Sequence, residues 1–431
     1  MAMTGGMGMN LDAVGIWLGR GIMAGFAALV IAELIRYFRT ALIEPAEPRQ
    51  LPETRLPAAR VLGEAFIAFT ASRLMVVLVM LVCHRLRAGT LEGFAPVFRG
   101  KLLPWDADHY LGIIENWYVN EGDVRLHIVF LPFYPAIARG LYLLTGMSSF
   151  AAAEIVSNAA LIGCGWAMFR LCEDEGGAAL ARRAMWLMFL TPMTYFYSIP
   201  YTESMFMLMT LLAVLCARRR RFALAVLFGA LAANTRLVGM AAAIPIYWEL
   251  LRCDRHSHPD RTPVRRALTC ALAVLPVAAG MALYMFGNWR LFGNPTQFMV
   301  FQGDHWSQQM GTLANTFRYS LVNALTYDDK LYRLGVWWPQ ALLLIGLPLL
   351  VLWRRKRECP GDMGYLLVFF YVCFVPTWLL SGPRYLSAAY ALYPLLARIP
   401  RGRRGFGLML AGEILLLIYM TVVGLWFGKV Y

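Results

Sequence analysis

Twelve apolar runs, several approaching twenty residues, follow one another along this 431-residue chain. An apolar stretch of about 20 residues is what a helix needs to cross a bilayer. The runs fall near Val14–Phe38, Val61–Cys83, Ser149–Leu171, Ala184–Ile199, Tyr201–Cys216, Phe222–Ala233, Leu237–Leu251, Ala267–Gly287, Val336–Trp353, Met363–Leu380, Tyr385–Ala397 and Phe406–Phe427. Charged residues make up only 15% of the chain, against roughly 25% in soluble domains. The sequence therefore predicts an all-α polytopic membrane protein with about 11–12 transmembrane helices. The shorter runs predict tilts, kinks and half-helices. The first dozen residues are Gly/Met-rich without a basic segment, so the first run is expected to be an anchor and not a cleaved signal.

The net charge of +14 raises the question of nucleic acid. No basic groove with interleaved aromatics of the single-strand-binding kind is present, and most of the arginine sits in clusters between apolar runs. Six places collect it: Arg36 to Arg60; Arg170 with Arg182 and Arg183; Arg218 to Arg221; Arg252 to Arg266; Arg354 to Arg357; and Arg398 to Arg404. Basic residues mark the cytoplasmic ends of membrane helices. Placing all six clusters there makes the runs alternate in register, provided Ile128–Thr145 does not cross the bilayer. Pro132, Pro135 and Arg139 in that segment fit a surface-lying or re-entrant helix. Arg85, Arg87, Arg99, Lys101 and Arg125 oppose this placement, because they put positive charge in the outer loop.

Under this topology residues 1–60 form an anchor helix and linker, 61–400 the main membrane domain, and 401–431 a last helix. Two outer loops, about residues 84–148 and 288–335, carry the polar chemistry. The eight cysteines are scattered without a CxxC, so neither a disulfide framework nor a zinc site is expected.

The first outer loop holds Trp105-Asp106-Ala107-Asp108-His109-Tyr110, two acids and an imidazole in six residues. Two carboxylates one residue apart can share a metal, or act as a base and its orienting partner; they are equally compatible with a solvated loop. No metal or cofactor is required, although the DxD leaves a divalent ion open. Glu203 opens a helix after Pro200, where an acid is often simply a dipole partner. Arg236 interrupts an apolar stretch, and Arg384 follows Gly382-Pro383. An intramembrane arginine is a functional candidate by default, or it can snorkel to the interface. Two outward arginines in one cavity would suit a phosphate. The second outer loop begins with the turn Gly293-Asn294-Pro295 and continues through Gln302 to Gln309. Candidate substrate contacts are thus His109, Glu203, Arg236, Gln302, Arg384 and Tyr385, with Asp106 and Asp108 as the catalytic pair.

Trp105-Asp106-Ala107-Asp108-His109-Tyr110, Phe130-Leu131-Pro132-Phe133-Tyr134-Pro135, Tyr201-Thr202-Glu203-Ser204-Met205-Phe206 and Ala232-Ala233-Asn234-Thr235-Arg236-Leu237-Val238-Gly239 occur in this order, followed by Pro383-Arg384-Tyr385 and Tyr393-Pro394. Together these motifs resemble the GPI mannosyltransferase II (PIG-V-type) family of membrane glycosyltransferases, from about residue 60 to about residue 400. The resemblance implies the GT-C architecture and a mannose donor linked to a polyprenyl or dolichyl phosphate. It also implies transfer on the non-cytoplasmic face, with Asp106 as the catalytic acid residue. The acceptor is a glycolipid, a glycan or a protein. Short cytoplasmic loops and the missing retrieval signal favour a bacterial inner membrane over the endoplasmic reticulum. The competing class is a transporter or flippase of a lipid-linked sugar, but the paired halves with matching broken helices found in many transporters are not visible here.

Overall fold

A computed structural model describes residues 5–44, 54–103, 105–377 and 379–428, with side chains from residue 11 onward. Most of the expected linker between Glu44 and Pro57 lies outside the described residues. Every regular element among those described is a helix. That is the solution an apolar solvent imposes, because each backbone N–H and C=O must find its partner inside the segment.

The chain begins with α1 (Gly5–Leu42) and α2 (Ala58–Ala88). Two short helices, α3 (Phe94–Lys101) and α4 (Ala107–Asn116), lie in the expected first outer loop. A 3-10 segment, Asp123–Val129, then bends by 120° into α5 (Phe133–Thr145). Thirteen residues of helix rise only about 20 Å, short of the roughly 30 Å hydrocarbon core. Helix α5 is also tied sideways to α4, because Arg139 Nη1 donates to the carbonyls of Ile114 at 2.6 Å and Glu115 at 2.7 Å.

The next helix, α6 (Ser149–Phe189), is broken at Gly176 and Gly177, the latter at φ 73°, so it runs as two pieces. The second piece ends at Phe189, ten residues before the expected Ile199. Thr191-Pro192 follows, and the chain continues as irregular backbone with a 3-10 turn at Thr194–Tyr197. Helices α7 (Glu203–Arg218), α8 (Phe222–Ala233) and α9 (Ala243–Ser257) are short and packed together. Helices α10 (Pro263–Val274) and α11 (Ala279–Phe292) join through a 3-10 turn at Pro276 into one apolar unit. The expected second outer loop folds into α12 (Gln297–Trp306) and α13 (Leu313–Thr326).

One turn at α14 (Lys330–Tyr332) leads through a π-helical stretch into α15 (Trp338–Arg354). Helix α16 (Pro360–Phe374) stops before Pro376, short of the expected Leu380. The expected run Tyr385–Ala397 is two short helices, α17 (Gly382–Ser387) and α18 (Leu392–Ala397), with a break between them. Helix α19 (Gly402–Met420) ends the described chain with a π-helical turn.

The chain is an integral multi-pass membrane protein. Among the described residues, six helical units are long and apolar enough to cross a membrane, or seven if the bent pair counts as one. The remaining expected runs are present as helices too short to cross alone. Of these, α7 is almost wholly buried, whereas α8 leaves Leu224 and Leu227 exposed and α16 leaves Val368 and Tyr371 exposed, as the long α2 leaves Phe66, Ile67, Leu74 and Leu78.

The six basic clusters meet at one end of the bundle. Arg218 bonds Glu175 and reaches Asp362 at 2.5 Å. Arg398 bonds Glu175 and, at 2.9 Å, Glu358, which also takes Arg354 at 2.7 Å. Arg55 and Arg219 share Asp174 at 2.9 and 3.0 Å, and Arg182 holds Glu64 at 2.8 Å. Arg36 donates to the carbonyl of Glu358 at 3.0 Å, and Arg255 to that of Ile43. The clusters predicted to share a side therefore do so through ion pairs, with acids that the run pattern alone does not assign to them.

At the opposite end a close helix crossing fixes the segment after α8. A Cβ on Gly280 would lie 1.9 Å from the carbonyl oxygen of Ala230, and one on Gly239 would lie 2.1 Å from that of Ala232. Asn234 Nδ2 donates to the carbonyl of Gly280 at 2.7 Å. Gly280→Ala is expected to destabilise the protein by about 1–3 kcal/mol through overpacking. It should lower the thermal midpoint in detergent. An unchanged midpoint would contradict this crossing.

Candidate active site

Asp106 sits at the N-cap of α4, where an aspartate ordinarily bonds the backbone of its own helix. Its side chain makes no such bond. The preceding Trp105 adopts φ 44°, a sparsely populated value for a non-glycine residue. The backbone N–H of Asp106 donates to Tyr201 Oη at 3.2 Å. Held in this way, the Asp106 carboxylate turns toward Arg384, whose Nη2 lies 3.8 Å from Oδ2. Its side chain keeps 30% of its surface accessible.

Glu203 is the first residue of α7 and is fully buried. Its Oε1 accepts from Arg384 Nε at 2.7 Å and from Arg236 Nη1 at 2.8 Å. Arg236 Nη1 also donates to Thr202 Oγ1 at 3.2 Å. The second oxygen, Oε2, is buried without a hydrogen-bond partner. Glu203 is therefore the shared counter-ion of two guanidinium groups as well as a first-turn acid. Aromatic faces complete the cage: Arg384 lies 4.7 Å from the Tyr201 ring, 5.0 Å from Phe196 and 5.0 Å from Tyr385, and Arg236 lies 4.9 Å from Tyr385. Such contacts attract a cation when it is desolvated.

Asp106, Glu203, Arg236, Arg384 and Tyr385 thus come together from four separate stretches of chain. His109 lies on the next turn of α4, stacked on Phe130 at 5.1 Å, with His127 at 5.5 Å and Trp306 at 6.0 Å. Asp108 is exposed on α4 and joins none of the ion pairs of this cluster. Gln302 bonds Gln308 at 2.9 Å within the second outer loop; through Trp306, one turn further along α12, that loop reaches His109 and Phe130. Among the described residues, no three His, Cys, Asp or Glu side chains gather as a metal site.

The sequence does not single out Phe196 or Arg73. Phe196 carries no polar signal. Arg73, the lone cation of the run Val61–Cys83, carries the same signal that marks Arg236.

With all four charged groups ionised, the two carboxylates and two guanidiniums of the cluster sum to zero. Burial pushes the Asp106 carboxyl above its ordinary range; Arg384 and then His109 pull it down, and Glu203 adds to the rise. A carboxyl raised in this way is a stronger base than an ordinary carboxylate, and a guanidinium stands beside it to hold an anion.

No family model matches the chain, and no curated protein matches it. Among solved structures it is similar to the crystal structure of ArnT from Cupriavidus metallidurans in the apo state, at 17% identity and TM-score 0.47, over 74% of this chain and 60% of that one. It is likewise similar to ArnT from Cupriavidus metallidurans bound to undecaprenyl phosphate, at 15% identity and TM-score 0.49, over 81% and 62%. This chain spans about three fifths of the length of that protein.

Proposed function

We propose that this protein is a GT-C membrane glycosyltransferase of the PIG-V-like kind. It transfers a hexose, mannose by the motif resemblance, from a polyprenyl-phosphate donor to a hydroxyl of a glycolipid, glycan or protein. The reaction takes place on the non-cytoplasmic side, in a bacterial inner membrane. One observation carries this reading: Arg384 stands between a buried carboxylate, Glu203, and a partly accessible one, Asp106.

In this mechanism the Asp106 carboxylate takes the proton of the acceptor hydroxyl. The acceptor oxygen bonds to the sugar's anomeric carbon as the bond from that carbon to the phosphate oxygen breaks. The electron pair leaves with the polyprenyl phosphate, and Arg384 and Arg236 stabilise its charge. A single displacement inverts the anomeric configuration. Glu203 fixes both guanidiniums so that little reorganisation is needed at reaction. His109, stacked on Phe130 three residues from the base, is a substrate contact. Asp108, outside the cluster, takes no part.

The test is a transfer assay on purified protein in lipid, offered polyprenyl-phosphate-mannose and polyprenyl-phosphate-glucose in parallel. Consumption of one donor supports the transferase and identifies the sugar. Redistribution of intact donor across the bilayer, without consumption, refutes it in favour of a flippase. Because Asp106 must be ionised to act, kcat/KM should rise with pH along a limb lying above the ordinary carboxylate range. A limb within that range would remove Asp106 from the role of base.

A further inference from the structure

Arg73 lies midway along α2, in a run that is otherwise apolar, and the reaction described above does not use it. Its guanidinium grips the irregular segment between α6 and α7. Nη1 donates to the Thr194 carbonyl at 2.9 Å and to Ser198 Oγ, Nη2 donates to Thr194 Oγ1, and Nε donates to Ser72 Oγ at 3.2 Å. No carboxylate of the described residues acts on it. This sets it apart from Arg236 and Arg384, which both bond the same oxygen of Glu203. The two catalytic cations share a carboxylate, whereas Arg73 has none within ion-pair distance among the described residues, and a cation without a counter-ion in a membrane span is costly and marks a functional site.

The surroundings also supply donors. An arginine has five N–H groups. Four hydrogen bonds leave one on Nη2 unspent. Ser198 Oγ accepts from the guanidinium and retains a proton to donate, while the fully buried Thr194 holds the guanidinium in place. Arg73 and Ser198 are both partly accessible. The turn that Arg73 grips at Thr194 also carries Phe196, whose ring lies 5.0 Å from the Arg384 guanidinium. The uncompensated cation and the catalytic one thus hold residues two apart on a single turn.

We propose that Arg73 and Ser198, with Thr194 positioning the guanidinium, form a phosphate-binding subsite beside the catalytic arginines, on the side of α2. This deepens the transferase reading and rests on it for the identity of the carrier. Phosphate on a polyprenyl lipid and free phosphate share the chemistry, and the test separates them.

The full-length protein in nanodiscs is titrated with polyprenyl monophosphate, with uncharged polyprenol and with inorganic phosphate, following bound ligand by native mass spectrometry. Arg73→Gln should lose at least about tenfold in polyprenyl-phosphate affinity, with polyprenol binding unchanged; Arg73→Lys, which keeps the charge but not the planar fork, should recover only part of the loss. Thr194→Val with Ser198→Ala, which keeps the charge and removes the hydroxyls, should show a smaller loss. Arg73-dependent binding of polyprenyl phosphate alone assigns the subsite to the lipid carrier. Arg73-dependent binding of inorganic phosphate as well keeps the subsite and assigns it to free phosphate. Unchanged affinity in Arg73→Gln, or an equal loss for polyprenol, overturns the proposal. Binding is read without turnover, so a wild-type protein that binds phosphate through Arg73 but transfers no sugar sinks the transferase reading alone.

Discussion

Asp106→Asn is expected to cut sugar transfer by roughly 10²–10⁴-fold, the contribution of a positioned general base. The substitution keeps the shape of the side chain and removes only its ability to take a proton. It should leave folding almost untouched, because the carboxylate makes no cap bond and only a 3.8 Å approach to Arg384. The bond from Tyr201 is to the backbone and survives. Initial rates with saturating donor, alongside a melting curve, test this. Transfer within a few-fold of wild type would remove Asp106 from the mechanism.

Glu203→Ala should act in the opposite way, on the fold before the chemistry. It strips the shared counter-ion from two guanidiniums, in a place where Arg384 is 5% exposed. Removing one partner of a buried ion pair costs about 3–5 kcal/mol, and here one deletion leaves two charges uncompensated. The thermal midpoint in detergent should fall sharply, with loss of monodisperse protein. Glu203→Gln keeps an acceptor for both arginines, so it should fall less. An alanine variant as stable as wild type would show that the cage is held by the aromatic rings and not by the carboxylate.

Much of this arrangement is legible in the sequence. Long apolar runs broken by arginine clusters predict both the helical membrane fold and the gathering of those clusters at one end. Arg236 and Arg384 stand out because a charge interrupting apolar sequence is costly unless something answers it, Asp106 because two acids and an imidazole crowd its loop, and Glu203 because it opens a helix. The pairing among them is less visible. Nothing in the spacing says that Glu203 serves two arginines at once, since α7, α8 and α17 meet only in three dimensions. Asp108 shows the reverse failure: one residue separates it from Asp106, yet α4 carries it outward, because neighbours at that spacing point to different faces of a helix. Segment ends such as Phe189 and Phe374 were shifted by Pro192 and Pro376, which halt helices that hydrophobicity alone would continue.

Helix α7 joins the two polar ends of the molecule, with Glu203 at its first residue and Arg218 at its last. Sixteen residues of helix rise about 24 Å, some 6 Å less than a hydrocarbon core of about 30 Å. If Arg218 is level with the headgroups of one leaflet, Glu203 and the groups around it lie below the headgroups of the other, at the depth of acyl chains. A long-chain carrier reacting there would keep its tail in the solvent it already occupies, and only its phosphate and sugar would change surroundings. On the proposed function, the acceptor hydroxyl is then the group that must reach that depth to meet the donor.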